Sequence, residues 1–315
     1  MIEPREIRTV FMGTPDFALP TLQGLIEAGV NLCAVFTQPD RAKGRGRKLA
    51  APPVKELAAK HQIPVYQPEK LRSPDAVAVL QELAPDLIVV VAYGQILPKS
   101  VLDIPKYGCI NVHASLLPRY RGAAPINMAI VNGEKETGVT TMLMDVGLDT
   151  GDMLVKRATP IGPLETAGQV HDRLAVLGRE AMEETLRQLC AGELKPEAQD
   201  DSQSSYAPMM NKGDGRIDWA QNAETIHNLV RGLHPWPGAY TFLGGEMLKI
   251  ADTLPHAEVE GLPGTIVSAT ERGILVSCGE NSLYIRSLQL PGKKWLSAAD
   301  FLRGKSLEPG VRLEL

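Results

Sequence analysis

The chain is poor in the features that mark secreted, metal-bound and membrane-spanning proteins. Only four cysteines, Cys33, Cys109, Cys190 and Cys278, occur in 315 residues. They lie far apart with no C-x-x-C pair, which argues against a disulfide framework and a structural zinc site and fits a reducing compartment. No apolar run approaches membrane-spanning length, and Met1 to Glu6 contains no apolar signal core. A soluble, cytoplasmic protein with no membrane contact is expected. Neither sign of charge dominates: 33 Lys and Arg against 37 Asp and Glu give a net charge of -4. That argues against a protein that coats nucleic acid nonspecifically, but leaves room for a local basic site. No G-x-G-x-x-G follows the first strand-like run, so a dinucleotide-dependent oxidoreductase is set aside. Internal repeats are also absent, and no feature indicates a stable oligomer, so a monomer is expected.

With 44% hydrophobic residues the chain can bury a sizeable core, and its length is natural for two domains. Strand and helix signals alternate over the first 190 or so residues. Ile7 to Met12 is a β-rich run closed by Gly13, after which Thr14 is expected to cap a helix that Pro15 opens. Asn31 to Thr37 reads as a second strand, and Ser73-Pro74-Asp75 starts another helix. Asp86 to Ala92 is continuously apolar after its first residue, as a parallel strand covered on both faces must be. Strands follow at Gly108 to His113, Val139 to Met144 and Met153 to Arg157. The pattern predicts an α/β, doubly wound, mostly parallel sheet. A long helix closes it: Thr166 and Gln169 have capping-box spacing, and Val170, Leu174, Leu177, Ala181, Leu186 and Leu189 share a face. Residues 1–192 are therefore expected to form one domain, 193–207 a polar linker, and 208–315 a second, smaller domain. In the second, a helix near Asn222 precedes five short strand-like runs between Ala239 and Leu288, which suggests a small β-barrel of the oligonucleotide-binding type.

The chemistry is concentrated in Asn111 to Tyr120. On a strand through Gly108 to His113, Asn111 and His113 must project from the same face. An amide donor beside a titratable imidazole can polarise a carbonyl oxygen and manage protons around it, as acyl transfer requires. Ser115-Leu116-Leu117-Pro118 then turns at the carboxyl end of the strand, where open α/β sheets bind ligands. Downstream, Asp145, Asp149 and Asp152 lie in a glycine-broken loop. The ligand spacing is wrong for calcium. One carboxylate can fold back to hold His113, but spacing does not choose among the three. A further loop, Gln38 to Leu49, holds Arg41, Lys43, Arg45, Arg47 and Lys48 with no acidic residue among them. No Gly-Lys-Ser/Thr gives it the spacing of a phosphate-cradling loop.

Taken in order, several strings resemble the folate-dependent formyltransferase family: Gly13 to Ala18, Val91-Ala92-Tyr93-Gly94, Asn111 to Pro118, Arg121 to Ile126, and Asp145 to Asp152. Arg216-Ile217-Asp218-Trp219 and Pro235-Trp236-Pro237 extend the likeness into the second half, toward members that act on tRNA. The resemblance implies Asn111, His113 and Asp149 as catalytic residues. It implies a folate-contacting turn at Ser115, Leu116, Leu117 and Pro118, with the backbone near Tyr93 and Gly94 at the pocket edge. It implies 10-formyltetrahydrofolate as cosubstrate with no metal, and initiator methionyl-tRNA as acceptor. The basic loop would meet the tRNA acceptor arm, Arg45 or Arg47 discriminating and Lys43 and Lys48 adding affinity. Lys293-Lys294-Trp295 is a compact candidate contact in the second domain. Two alternatives remain: a formyltransferase acting on a small amine, which would need neither the basic loop nor the second domain, and a noncatalytic RNA-binding protein on the same scaffold.

Overall fold

The computed structural model describes residues 2–43, 48–257 and 261–314. The first sheet has seven strands: β1 (Arg8–Gly13), β2 (Asn31–Phe36), β3 (Val65–Tyr66), β4 (Leu87–Val91), β5 (Cys109–His113), β6 (Glu136–Leu143) and β7 (Met153–Pro160). Their spatial order is β7-β6-β5-β4-β1-β2-β3. Strands β3, β2, β1, β4 and β5 run parallel, whereas β6 is antiparallel to β5. Every residue of β4 is buried, which accounts for its unbroken apolar run.

Helices α1 (Leu19–Glu27), α2 (Pro53–Lys60), α3 (Pro74–Leu83), α4 (Pro125–Val131) and α5 (Ala167–Ala191) fall between and after the strands. Ser73 caps α3 as its sequence predicts, its hydroxyl accepting from the Ala76 N–H. Ahead of α5, Thr166 N–H donates to Gln169 Oε1 and Gln169 N–H to Thr166 Oγ1, a complete capping box. Thr14 departs from expectation. A short 3-10 turn at Asp16–Ala18 precedes α1, and the Thr14 hydroxyl donates instead to the Tyr93 carbonyl at 2.9 Å. A partner 79 residues away replaces the local cap.

Two compact units emerge. The first comprises residues 1–122, 137–159 and 171–206; the second comprises 123–136, 160–170 and 207–315. Residues 193–206, where a linker is expected, thus run within the first unit. Glu197 and Met153 exchange both backbone hydrogen bonds there, at 2.8 and 2.9 Å. The second unit takes in α4, which packs on α6 (Ala223–Gly232).

The second unit's sheet is antiparallel: β8 (Ala239–Leu243), β9 (Glu246–His256), β10 (Ile266–Thr270), β11 (Gly273–Ser277) and β12 (Ser282–Gln289), in the order β8-β9-β12-β11-β10. Residues 311–314 join the two ends of that path. Ile266 N–H donates to the Val311 carbonyl, Leu313 N–H to Gly264, and Glu314 and Phe242 exchange bonds. Residues 311–314 thus bridge the two edge strands of the sheet at isolated points. Trp219, Ile226, Val230, Leu248, Ile250, Val276 and Ile285 fill its core. No helix among the described residues is long and apolar enough to cross a membrane.

Candidate active site

Strands β1, β4 and β5 end in register, Gly13 beside Val91 and Val90 beside Asn111, so the loops after them leave from one edge of the sheet. Against β6, Asn111 lies opposite Met142 and His113 opposite Thr140. Val112 points the other way, where a Cβ on Gly178 of α5 would touch its Cγ1. Asn111 and His113 consequently share the face away from α5, as strand alternation requires.

Asp149 reaches the same two side chains. Its Oδ1 lies 3.5 Å from Asn111 Nδ2, and its Oδ2 lies 3.7 Å from His113 Nδ1. The imidazole and the carboxylate are largely enclosed, at 6% and 13% exposure. The other ring nitrogen, Nε2, is engaged by the Tyr120 carbonyl at 2.9 Å. Each nitrogen of His113 thus faces an acceptor oxygen, and Nδ1 is the one left without a close bond. These separations are long for hydrogen bonds, as is common before a reacting group sits between such partners.

Asp149 itself has a positive φ of 54°. Its Oδ2 accepts from the Gly122 N–H at 2.9 Å, where Gly122 has φ 111°. In the loop, the Asp145 carboxylate accepts from Gly147 N–H and the Thr150 hydroxyl, forming a side-chain turn. Gly151 is sterically required: a Cβ there would collide with the Leu143 carbonyl oxygen. Asp145 therefore shapes the loop, while Asp149 faces His113.

The turn after β5 is built from the inside. The Ser115 hydroxyl donates to the Arg119 carbonyl, and Thr140 bridges it, donating to the Ser115 carbonyl and accepting from Leu117 N–H. Ser115 and Leu117 are buried, Leu117 at 1% exposure against Met142 and Met153, whereas Leu116 and Pro118 are half-buried. A pocket-lining role for the Leu117 side chain does not fit this placement. Tyr93 is interior too: burial pushes its phenol up to about 12. Its carbonyl accepts from Thr14 and Gln38, so the main chain open to a ligand is that of exposed Ala92 and Gly94.

Residues with no sequence signal complete the edge. Met144 packs on the cluster that holds Tyr93 and Leu97, so the loops at 92–98 and 145–152 spring from one apolar patch. They carry Ile96, Val146 and Leu148 at 87%, 77% and 55% exposure. Gln199 donates to the carbonyls of Asp149 and Gly151 at 2.8 and 2.7 Å. Cys109 shares the strand face of Asn111, but burial pushes its thiol up to about 12, so it is no thiolate nucleophile at neutral pH.

The basic segment forms a short hairpin, Arg41–Lys43 antiparallel to Lys48–Ala50 with Lys43 opposite Lys48. At its base the Asp40 carboxylate receives Lys55 and Gln67, and Arg41 donates to Gln38. Arg45 and Arg47 lie outside the described residues.

Comparison with known proteins identifies the family. Residues 7–186 match the family described as formyl transferase, and residues 209–306 match the formyl transferase C-terminal domain. A methionyl-tRNA formyltransferase of Geobacter sulfurreducens is 60% identical, covering 98% of this chain and 96% of that protein. One from Geotalea uraniireducens is 61% identical, covering 96% and 97%. Among solved structures, HypX from Aquifex aeolicus in complex with tetrahydrofolic acid superposes with a TM-score of 0.64 at 19% identity over 94% of this chain, which spans only 47% of HypX. The N-formyltransferase from Helicobacter canadensis, in complex with folinic acid and dTDP-3-aminofucose, has a TM-score of 0.66 at 18% identity, covering 90% and 99%. These two likenesses speak for the fold alone. On the two family matches and the near full-length identity together, the chain belongs to the formyl transferase family.

Proposed function

We propose that this protein transfers the formyl group of 10-formyltetrahydrofolate to the α-amine of methionine on initiator tRNA. The observation that carries the chemistry is the convergence of Asn111, His113 and Asp149 on one strand face at the carboxyl edge of a parallel sheet. The relatives' near full-length identity supports the acceptor. The fit to folate rests on exposed main chain at Ala92 and Gly94 and on Ile96, Val146 and Leu148, which offer edge donors and an apolar wall to a flat ring.

Bound folate supplies the activated formyl group. Asn111 donates its amide N–H to the formyl oxygen as negative charge builds there during attack by the methionyl amine. His113, held at Nε2 by the Tyr120 carbonyl, acts as imidazolium and directs Nδ1 and its charge toward the same centre. Asp149 anchors that charge and takes up the surplus amine proton, directly or through a water. The new C–N bond forms first; as the charge on the formyl oxygen collapses back, the bond from formyl carbon to the folate nitrogen breaks, and the proton held by Asp149 passes to that departing nitrogen. Donors fixed in advance need no reorganisation at the moment of reaction, and each is worth about 10²–10³ in rate.

Arg41, Lys43, Arg45, Arg47 and Lys48 meet the tRNA acceptor arm, and Lys293, Lys294 and the half-exposed Trp295 add a charged, stacking contact. The working form is a cytoplasmic monomer. The test is formylation of charged initiator tRNA against charged elongator tRNA and free methionine. Transfer to the initiator alone supports the reading; equal transfer to free methionine, or none to any, overturns it.

A further inference from the structure

We infer that Gln199 is a positioning residue for the transfer reaction: its side-chain amide grips the backbone on both sides of the Asp149 turn and so aims the carboxylate at His113 and Asn111. This rests on the role proposed for Asp149.

Asp149 needs such a grip. Aspartate tolerates φ 54° better than most side chains but still at some cost, so the turn gains from a restraint outside it. The 144–152 loop carries two large apolar side chains into solvent, and its internal bonds centre on Asp145, ahead of the residue that matters. Gln199 supplies the remaining restraint. Both hydrogens of its Nε2 are used, one on the Asp149 carbonyl and one on the Gly151 carbonyl.

The orientation of this amide is not free. Oε1 accepts from Arg121 Nε and Nη2 at 3.0 and 2.8 Å, and a guanidinium can only donate. Oxygen must therefore face Arg121 and nitrogen must face the loop. Arg121 is held in turn by Asp201 at 2.7 Å. It directly precedes Gly122, whose N–H donates to the Asp149 carboxylate. A closed circuit results, from carboxylate through Gly122, Arg121 and Gln199 back to the carbonyl of Asp149. One patch fixes both the main chain and the side chain of the same residue. The Glu197–Met153 backbone pair gives Gln199 its rigid base.

The test uses the full chain with Gln199→Ala, Gln199→Glu and, beside them, Asp149→Asn. Glutamate keeps the length and the acceptor for Arg121 but turns a carboxylate toward two carbonyls. Both Gln199 variants are expected to lose about 10- to 100-fold in kcat, the penalty of a misplacement near 1 Å, with little change in either KM. The unfolding midpoint of Gln199→Glu stays that of the unaltered protein, while amide exchange quickens across 145–152. Unaltered kcat in Gln199→Glu alongside an inactive Asp149→Asn overturns the inference and leaves the active site standing. A loss of rate that only tracks loss of folded protein also overturns it, as a structural role. Full activity in Asp149→Asn removes the underlying assignment and this inference with it.

Discussion

Replacing Asp149 with asparagine isolates the charge in the triad. The substitution keeps side-chain size, and its amide oxygen can still accept from the Gly122 N–H. What disappears is a negative charge 3.7 Å from His113 Nδ1. At an effective dielectric constant of about 20, opposite unit charges at that separation attract by about 4 kcal/mol. At about 1.4 kcal/mol per tenfold, the full interaction corresponds to about three decades in rate. The carboxylate retains some contact with water, so the expected loss is about 10²–10³ in kcat. The measurement is single-turnover formylation of charged initiator tRNA at saturating folate donor, which isolates the transfer step from product release. Binding of tRNA, measured separately, stays unchanged, because Asp149 is walled in by Gly122, Asn111 and His113. A transfer rate within about threefold of the unaltered protein would show that charge at this position does not act on the transition state.

Other consequences follow from burial. Leu117→Ala removes a side chain packed with Met142 and Met153 in a small buried cluster, and unfolding should show a loss of about 2–3 kcal/mol, the lower end for such truncations. His227 is buried in the second unit, where Nε2 donates to the Pro163 carbonyl and Nδ1 accepts from Thr253. Burial lowers its pKa below the ordinary value, against the pull of the Pro163 bond. The unfolded chain therefore binds a proton that the folded chain refuses, and stability present above about pH 6.5 is lost as pH falls. Unfolding midpoints of the unaltered protein and His227→Gln should converge between neutral pH and the folded value; a constant gap would contradict the linkage.

What the sequence discloses depends on how far apart the partners lie. The Ser73 cap and the Thr166–Gln169 box are local hydrogen bonds and could be read directly. So could β4, whose burial on both faces leaves an unbroken apolar run. The shared face of Asn111 and His113 follows from strand geometry alone. Thr14 misleads because its hydroxyl serves a carbonyl 79 residues away. Gln199 is hidden for the same reason, since a polar residue among polar residues gives no sign of contacts 48 and 50 positions upstream. Choosing Asp149 over Asp145 and Asp152 needed the family likeness first, and the loop's bonds give the physical reason. The assignment of α4 to the second unit is equally silent in sequence, because its packing partner α6 lies about 100 residues later.

The central claim is that three side chains fixed by the fold stabilise charge on one reacting formyl group. Its most direct measurement is the single-turnover transfer rate of Asn111→Ala, with tRNA affinity taken in the same buffer. The account predicts a rate lower by about 10²–10³ with affinity preserved. An unaltered rate, or a loss confined to tRNA binding, would contradict it.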